Sequence, residues 1–410
     1  MNRGMNSTEM QKANRSLVLK TLLENKSMTR SELASKVGLQ KATITNIIND
    51  FCEIGIVENE GDSAAGRRGE QLCLRLEKIY IISIRINRKN YRIKVYSLQG
   101  KTLDRIQVKI SAENSIYEIV ASLKTSLAEL LEKFDKKKII GVSLGLPGPY
   151  IRKSGDISND LMLVSDFEQL SFVNMHKELE EVLRIPVFSE HDAKLAAYAE
   201  WRNARERQAE ENASLIALES IGFGIGCGIV IKGEIVQGKL GIAGEIGHMG
   251  INYNGKKQMN GSWDSTYEYC AGTESAVRYM KERLYEFPYS NLTEQSTYKE
   301  IEKEYEKKDP LAVYAVEKMA WMLGYGIANL IYIINPDCII LGKDYPNSPE
   351  FLRKVQESVE RFVHPSILSS VSIRCSVMEE DTTLLGGYYQ VVEKLFKENK
   401  ILECIKRTVE

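Results

Sequence analysis

A short glycine-rich segment, LGIAGEIGHMG (residues 240–250), carries polar side chains suited to ligand chemistry. It contains Glu245 and His248, the latter being one of only four histidines in the chain. A carboxylate accepts hydrogen bonds, and an imidazole donates or accepts them. The pair could therefore hold a metal ion, bind a sugar, catalyse a reaction or stabilise a turn. The segment by itself leaves these four alternatives open.

The bulk properties are those of an ordinary soluble protein. The 410 residues suffice for two or three domains, with 43% hydrophobic residues, 27% charged residues and a net charge of −1. No apolar run has the length of a membrane span, and the N-terminus lacks a signal-peptide pattern. Seven scattered cysteines argue against a disulfide framework and against a cysteine metal cage. We therefore expect a cytoplasmic protein.

The charge is distributed unevenly at one end of the chain. Residues 1–49 contain eight Lys and Arg against three Asp and Glu, and residues 50–66 contain five acids and no base. Arg67 and Arg68 follow directly. Such asymmetry is typical of a nucleic-acid contact, with a solvated helix face as the alternative.

The first eighty residues contain a pattern of two helices joined by a turn. Residues 14–25 predict a helix, and Thr29 and Glu32 have the spacing of a capping box that begins a second helix. Gly38 ends that helix, and KATITNIINDF (41–51) begins the next one. This order predicts a helix-turn-helix.

The third helix has one apolar stripe and an opposite face of small polar side chains that could enter the major groove. Residues 53–76 then predict a β-hairpin wing whose tip, AAGRRG, suits a narrow minor groove. The apolar stripe comprises Ile44, Ile47, Ile48 and Phe51. The predicted DNA contacts are Lys41, Thr43, Thr45, Asn46, Asn49, Arg67 and Arg68. The alternative is a small helical domain whose polar face is plain solvent surface.

From residue 79 onward the pattern changes to strands. Three strand-like runs lie within residues 79–110, a helix is predicted over 115–134, and a second set of strands lies within 214–236. Long helices follow the second set. Two rounds of strands and helices predict an α/β fold with two lobes facing a cleft, where small ligands usually bind.

Several motifs of this region resemble the ROK family. They are, in chain order, GVSLGLPGP, SEHDAKLAAYAE, GFGIGCGIV, AGEIGH and NPDCIILG. Members of that family are sugar kinases or, with an added winged helix, sugar-responsive repressors. The N-terminal part, including AAGRRG, resembles the repressor branch, which includes xylose repressors.

The resemblance implies a winged helix-turn-helix followed by a two-lobed, actin-like and sugar-kinase-like (ribonuclease H-like) α/β domain. We expect the DNA-binding domain in residues 1–77. The first lobe is expected in 78–195, completed by a C-terminal helix in 388–410, and the second lobe in 196–387.

ROK kinases carry a D-x-G-G-T loop for Mg²⁺ and the phosphates of ATP, and the equivalent stretch here is ISIRINRKN. Arg85 stands at the position of the Asp, and Asn87 and Arg88 replace glycines. Without a carboxylate for the metal or a glycine for close phosphate approach, we expect no kinase activity. Arg85, Arg88 and Lys89 could attract an anion such as a phosphorylated effector, or they could form a plain charged strand face.

The second phosphate loop of the kinases survives in outline as a glycine ladder, with Phe223 in place of a hydroxyl residue. Glycines at alternate positions are also typical of a tight strand turn, and we favour that interpretation. The ladder consists of Gly222, Gly224, Gly226 and Gly228.

The resemblance also suggests the residues of a sugar site. Asp192 matches the family's catalytic base, with His191 where the family usually has Asn. Glu245, His248 and Glu268 match positions that contact sugar in the family. For Asp192, sugar contact is favoured over a helix cap, and for Glu245 and His248 it is favoured over a structural turn.

Many ROK proteins bind zinc through three cysteines and the AGEIGH histidine. Met259, Gly261 and Thr266 stand at the cysteine positions here, so we expect no metal and no cofactor.

These observations predict a sugar-responsive repressor of carbohydrate-utilisation genes that has no catalytic residues. Its expected partners are operator DNA, a small sugar and further copies of itself in a homodimer or tetramer, with no membrane contact. Sugar in the cleft would change the spacing of the recognition helices. The alternatives are a sugar kinase that also binds DNA, and a DNA-binding protein that no longer senses sugar.

Overall fold

The computed structural model describes most of the chain. The described residues are 6–25, 27–60, 70–111, 113–148, 150–151, 161–162, 173–206, 213–221, 224–258 and 263–409. They divide into two compact units. The first comprises residues 1–144, 172–189 and 387–410, and the second comprises 145–171 and 190–386. The three domains expected from the sequence remain a prediction.

The N-terminal part of the first unit has the order of elements predicted for a winged helix-turn-helix. Its strands form a three-stranded sheet in the order β1-β3-β2, with both pairs antiparallel. The elements are α1 (Ser7–Asn25), β1 (Ser27–Thr29), α2 (Arg30–Val37), α3 (Lys41–Glu53), β2 (Val57–Glu60) and β3 (Gln71–Leu74).

Helix α1 begins seven residues earlier than the predicted Asn14. The reason is a cap that the sequence analysis missed. The Glu9 N–H donates to Asn6 Oδ1 (2.8 Å), and the Asn6 N–H donates to Glu9 Oε2 (2.9 Å). This reciprocal pair satisfies N–H groups that the start of a helix leaves without partners.

The remainder of the first unit is built around a five-stranded sheet in the order β10-β7-β4-β5-β6. The three predicted strands and the predicted helix that follows them are confirmed, and the expected C-terminal helix is two helices. The strands are β4 (Tyr80–Ile86), β5 (Asn90–Ser97), β6 (Thr102–Lys109), β7 (Ile139–Leu146) and β10 (Val187–His191). The helices are α4 (Ile116–Lys133), α5 (Met175–Leu183), α13 (Thr382–Lys397) and α14 (Ile401–Val409).

Helices α4 and α13 bind this sheet through aromatic side chains of β5. Tyr91 shares hydrogen bonds with Ser122 and Ser126 of α4, at 2.8 and 2.9 Å. Tyr96 lies 5.1 Å from Tyr388 of α13, measured between ring centroids. Since successive strand residues point to opposite faces, Tyr91 and Tyr96 meet helices on opposite sides of the sheet.

The second unit contains a second five-stranded sheet, in the order β13-β12-β11-β14-β15. Its strands are β11 (Leu215–Ile221), β12 (Gly224–Ile231), β13 (Glu234–Ile235), β14 (Cys338–Leu341) and β15 (Ser372–Cys375). Strands β8 (Tyr150–Ile151) and β9 (Leu161–Met162) pair separately. The helices are α6 (Asp192–Glu206), α7 (Tyr267–Ala271), α8 (Thr273–Arg283), α9 (Tyr298–Glu306), α10 (Pro310–Ile334), α11 (Pro349–Glu360) and α12 (Pro365–Leu368).

The core of the second unit forms around α10, a 25-residue helix. Asp309 caps its first turn, and Pro310 occupies a position where a missing N–H has no cost. The side of α10 carrying Leu323 and Ile327 is fully buried in a cluster that includes Ile339 of β14. This packing holds the sheet that leads to the segment around Glu245.

Candidate functional site

The turn between α2 and α3 is formed as the sequence predicted. Thr29 and Glu32 make the reciprocal hydrogen bonds of a capping box at the start of α2. Gly38 ends α2 with a φ of 69°, a left-handed conformation in which a side chain would be strained. The turn therefore presents α3 at a defined angle to α2.

Helix α3 buries its apolar stripe and exposes its polar face. Ile44, Ile47, Ile48 and Phe51 are all buried, which confirms the predicted stripe. Of the predicted DNA contacts on this helix, only Thr43 is half-buried, and the exposed ones are Lys41, Thr45, Asn46 and Asn49. The face available to a partner is thus slim, polar and positively charged at its N-terminal end.

The wing is present as the antiparallel pair β2–β3, in which Glu60 lies opposite Gln71. Arg30 of α2 forms an ion pair with Glu70, which directly precedes β3 on the tip side of the wing, with 3.0 Å between Nη1 and Oε2. Arg67 and Arg68, the predicted contacts of the wing tip, lie outside the described residues.

In the second unit, His191 and Asp192 lie where β10 ends and α6 begins. They are 6% and 1% exposed, with 3.3 Å between His191 Nε2 and Asp192 Oδ1. Asp192 Oδ1 also accepts the N–H of Ala193 (2.8 Å), so the carboxylate contacts the first turn of its own helix as well. The geometry is compatible with both predicted roles of Asp192.

Glu245 lies beside the same histidine. Its Oε1 is 3.5 Å from His191 Nδ1, and its side chain is 17% exposed. Gly244 precedes it with a φ of 96°, and a Cβ at Gly244 would overlap the carbonyl oxygen of Cys227 on β12. The glycine therefore allows the turn to lie directly against the strand and to hold Glu245 at the end of β10.

His248 and Glu268 form a second pair at the other end of this turn. His248 Nδ1 lies 3.5 Å from Glu268 Oε1, and their side chains are 54% and 27% exposed. Gly247 lies between Glu245 and His248, and a Cβ there would be 2.8 Å from Glu268 Oε2. This glycine therefore leaves room for the carboxylate of Glu268. The five residues predicted to bind sugar are therefore arranged as a largely buried trio, His191–Asp192–Glu245, and a more exposed pair, His248–Glu268. Glu245 and His248 lie on the AGEIGH turn, His191 and Asp192 at the junction of β10 and α6, and Glu268 in α7.

Gly148, Glu190, Lys194 and Gln237 also surround this site, and the sequence analysis did not single them out. A Cβ at Gly148 would lie 2.5 Å from His191 Cδ2, so this glycine of GLPGP makes room for the imidazole. For Lys194 the available signal was a lysine two residues after Asp192 in an alanine-rich helix, whereas Glu190 and Gln237 gave no local signal.

The stretch that the family resemblance aligns with the kinase phosphate loop is a tight hairpin between β4 and β5. Arg85 lies opposite Arg92, and Asn87 closes the turn. Asn87 Oδ1 accepts the N–H groups of Lys89 and Asn90, both at 2.9 Å. These two N–H groups are therefore engaged within the hairpin.

The glycine ladder packs against α6. A Cβ at Gly226 would lie 2.7 Å from the Cβ of Ala193, and a Cβ at Gly228 would overlap the Cβ of Ala197. Gly222 and Phe223 lie outside the described residues. The glycines at 226 and 228 thus have a packing reason, which agrees with the structural interpretation of the ladder.

The sequence predicts that His248 binds no metal ion. Among the residues that the structure describes, no group of three or more His, Cys, Asp or Glu side chains could hold a metal ion. Met259 and Gly261 are outside that set, and Thr266 forms a bridge with Gly250. Asp264 Oδ1 accepts the N–H of Lys256 (2.5 Å), so a hydrogen bond joins residues on the two sides of this segment.

Comparison with known proteins places the chain in a family. The model of the ROK family matches residues 81–394, and that of a winged helix-turn-helix DNA-binding domain matches residues 13–58. The chain belongs to the ROK family. The ROK region thus contains all five residues of the candidate sugar site, and the winged helix-turn-helix region contains the polar face of α3.

Relatives of this ROK-family chain include repressors and kinases. The xylose repressor of Caldicellulosiruptor bescii is 25% identical, with 95% of this chain and 98% of the relative covered. A glucokinase of Halalkalibacterium halodurans is also 25% identical, but the alignment covers 77% of this chain and 96% of the kinase. A solved ROK family transcriptional regulator, a homologue of the Escherichia coli MLC protein, has a TM-score of 0.78 at 22% identity, covering 97% of this chain and 99% of its own. The fold of this ROK protein is therefore shared with a regulator over nearly its whole length.

In the described part of the chain, no helix is both long enough and apolar enough to cross a membrane.

Proposed function

We propose that this ROK protein is a transcriptional repressor of carbohydrate-utilisation genes whose affinity for operator DNA changes when a small sugar binds. The observation that carries the proposal is the presence, in one chain, of an exposed polar α3 and a carboxylate–imidazole cluster at the AGEIGH turn. The first can contact DNA, and the second can bind a polyol.

Helix α3 enters the major groove of the operator. Asn46 and Asn49 have amide groups that can pair with the edge of adenine, and Thr43 and Thr45 reach bases or phosphates. Lys41, at the start of the helix, neutralises a phosphate. Arg67 and Arg68 occupy the minor groove beside it, where negative potential is strongest.

The sugar binds at the His191–Asp192–Glu245 trio and the His248–Glu268 pair. Carboxylates accept hydrogen bonds from vicinal hydroxyls, and such charge-assisted bonds are stronger than neutral ones. Each imidazole can donate to one hydroxyl or accept from another. Because His191 and Asp192 are almost fully buried, a sugar that reaches them forms its bonds away from competing water.

The chain does not transfer phosphate from ATP. Binding of ATP phosphates requires free backbone N–H groups and a carboxylate for Mg²⁺. The N–H groups of Lys89 and Asn90 are engaged by Asn87, and Arg85 occupies the position of the carboxylate. Glu219, opposite Gly226 in the β11–β12 hairpin, is 8% exposed and adds a negative charge close to the second phosphate loop. These contacts support a sensor over a kinase.

The relative from Caldicellulosiruptor bescii is named a xylose repressor, so D-xylose is the first effector to test.

The protein acts as a homodimer or tetramer, because paired recognition helices match the two-fold symmetry of palindromic operators. To change DNA affinity a hundredfold, the sugar must prefer one of two states by about 2.7 kcal/mol. Two or three net hydrogen bonds of roughly 1 kcal/mol each supply that difference.

Selection of bound duplexes from a random DNA pool tests the DNA-binding half of the proposal. Wild-type protein should enrich a defined sequence, and Asn46→Ala should relax the preference at one position. Asn347→Ala, at an exposed asparagine far along the chain from α3, serves as the control. The proposal would be contradicted if the wild-type protein enriched no particular sequence from the pool.

A further inference from the structure

Helix α6 contains a fully buried lysine next to the candidate sugar site. Lys194 is 0% exposed and lies two residues after Asp192. Burying an ammonium group is costly unless hydrogen bonds replace its water. Lys194 Nζ donates to Gln237 Oε1 (3.1 Å) and to the carbonyl oxygen of Gly241. Both acceptors belong to the segment that precedes Glu245.

Gln237 extends this contact to a buried carboxylate. Its Nε2 donates to Glu190 Oε2 (2.7 Å), and Glu190 is 2% exposed. The other oxygen of Glu190 accepts the N–H of His191 (3.1 Å). An amide offers an acceptor on one side and donors on the other, so Gln237 can join an ammonium to a carboxylate.

These bonds connect the loop of residues 237–245 to the start of α6. The N–H of Ala243 donates to the carbonyl oxygen of Gln237 (3.1 Å), and the N–H of Glu245 donates to that of Ile242 (3.2 Å). The loop is thus held at its beginning, through Gln237, and in its middle, through Gly241. Its last residue, Glu245, is the one whose carboxylate lies 3.5 Å from His191 Nδ1.

The charge of Lys194 acts in the same interior as that of Glu245. Burial and the charge of Glu245 raise the pKa of the Cys227 thiol, and the charge of Lys194 lowers it. Lys194 is also joined to Glu190 through Gln237 and follows Asp192 by two residues. Its ammonium therefore offsets negative charge in a region that contains both carboxylates.

We infer that Lys194 is a positioning residue of the sugar site, which holds Glu245 against His191 through Gln237 and Gly241 and balances the buried carboxylates. This inference rests on the proposed function, since it assigns a role within the same site. Lys194 is not expected to touch the sugar.

Hydrogen–deuterium exchange of the sugar-free full-length protein tests the positioning directly. Lys194→Met keeps the length of the side chain and removes its donors, and Gln237→Leu removes the bridge while leaving the lysine in place. In both variants, peptides covering 237–245 should exchange about tenfold faster or more, because local opening no longer breaks these bonds. Peptides of α10 should be unchanged, and Lys299→Met, at an exposed lysine of α9, should match the wild type.

Calorimetric titration with D-xylose, D-glucose and D-glucosamine tests the consequence for binding. Lys194→Met and Gln237→Leu should each lower the affinity for the sugar that binds best by about tenfold or more. Each variant should retain the DNA affinity that the wild type has without sugar. If Lys194 acts through Glu245, the losses in Lys194→Met and Glu245→Gln will not add in the double variant. A merely structural lysine would give additive losses.

The outcomes separate this inference from the proposed function. Wild-type protein that binds none of the three sugars contradicts the proposed function, and the exchange experiment still decides whether Lys194 positions the loop. The inference is overturned if residues 237–245 exchange at the wild-type rate in both variants. It is also overturned if the losses of sugar affinity add in the double variant. Accelerated exchange together with non-additive losses supports it.

Discussion

Lys20 of α1 donates to Glu393 of α13, with 2.9 Å between Nζ and Oε2. The same ammonium lies 5.9 Å from the ring centroid of Phe396. Lys20, Glu393 and Phe396 all belong to the first unit. The first helix of the DNA-binding part is thus joined to the C-terminal part of the chain by a contact between residues 373 positions apart.

The Lys20–Glu393 pair gives a first prediction. Reversing one charge, as in Lys20→Glu, should destabilise the docking of α1, because repulsion replaces the ion pair. The expected effect is only about 1 kcal/mol, because the pair is partly exposed. Hydrogen exchange of α1 should be faster in this variant. The double variant with Glu393→Lys should restore slow exchange. Equal exchange in the single and double variants would show that the pair does not hold α1.

The polar face of α3 gives a second prediction. Lys41→Ala should weaken binding to all DNA sequences alike and reduce the slope of log affinity against log salt by about 1, since one phosphate contact is lost. Asn46→Ala should cost about 1–3 kcal/mol on the preferred sequence only. Titrations at several salt concentrations measure both effects. A salt slope unchanged by Lys41→Ala would remove this residue from the interface.

The charge of the sugar site gives a third prediction. Asp192, Glu245 and Glu268 place three carboxylates beside the imidazoles of His191 and His248. Like charges disfavour one another at such distances, so an effector with its own negative charge should be rejected. D-glucosamine should bind at least as well as D-glucose. D-glucuronate and glucose 6-phosphate should bind at least about tenfold more weakly, since one unfavourable charge contact in this partly buried site costs about 1.4 kcal/mol or more.

Calorimetry with these four compounds at one ionic strength provides the measurement. Tight binding of glucose 6-phosphate would contradict the prediction. It would point instead to the alternative raised by Arg85, Arg88 and Lys89, an anion-binding role for the β4–β5 hairpin.

Nucleotide binding gives a fourth prediction. Mg-ATP should leave the midpoint of thermal unfolding unchanged, because the N–H groups of the β4–β5 turn are engaged by Asn87. A sugar that binds should raise the midpoint under the same conditions and so serves as the positive control. A rise with Mg-ATP alone would support the kinase alternative.

Elements with a strong local signal were predictable from the sequence. The apolar spacing of Ile44, Ile47, Ile48 and Phe51 defined the buried face of α3, and Thr29 and Glu32 defined the start of α2. Both depend on residues within two helical turns. The early start of α1 was missed because its first residues are exposed and show no apolar period, so that only the Asn6–Glu9 cap marks it.

The polar surroundings of the sugar site depend on residues far apart in sequence. The family resemblance identified Asp192, Glu245 and Glu268, but it gave no reason to expect a buried lysine beside them. Lysine in a helix is normally exposed. Lys194 is buried because Gln237 and Gly241, over forty residues later, supply its acceptors. Such a match appears only when the fold brings the two segments together.

Fluorescence anisotropy of the operator obtained by selection, titrated with the protein in the presence and absence of sugar, tests whether a bound sugar controls DNA affinity. We predict that saturating D-xylose, or another sugar that calorimetry shows to bind, changes operator affinity by about a hundredfold. Glu245→Gln should bind the operator like the wild type without sugar and lose most of the response. The claim is contradicted if wild-type affinity is the same with and without every sugar that binds.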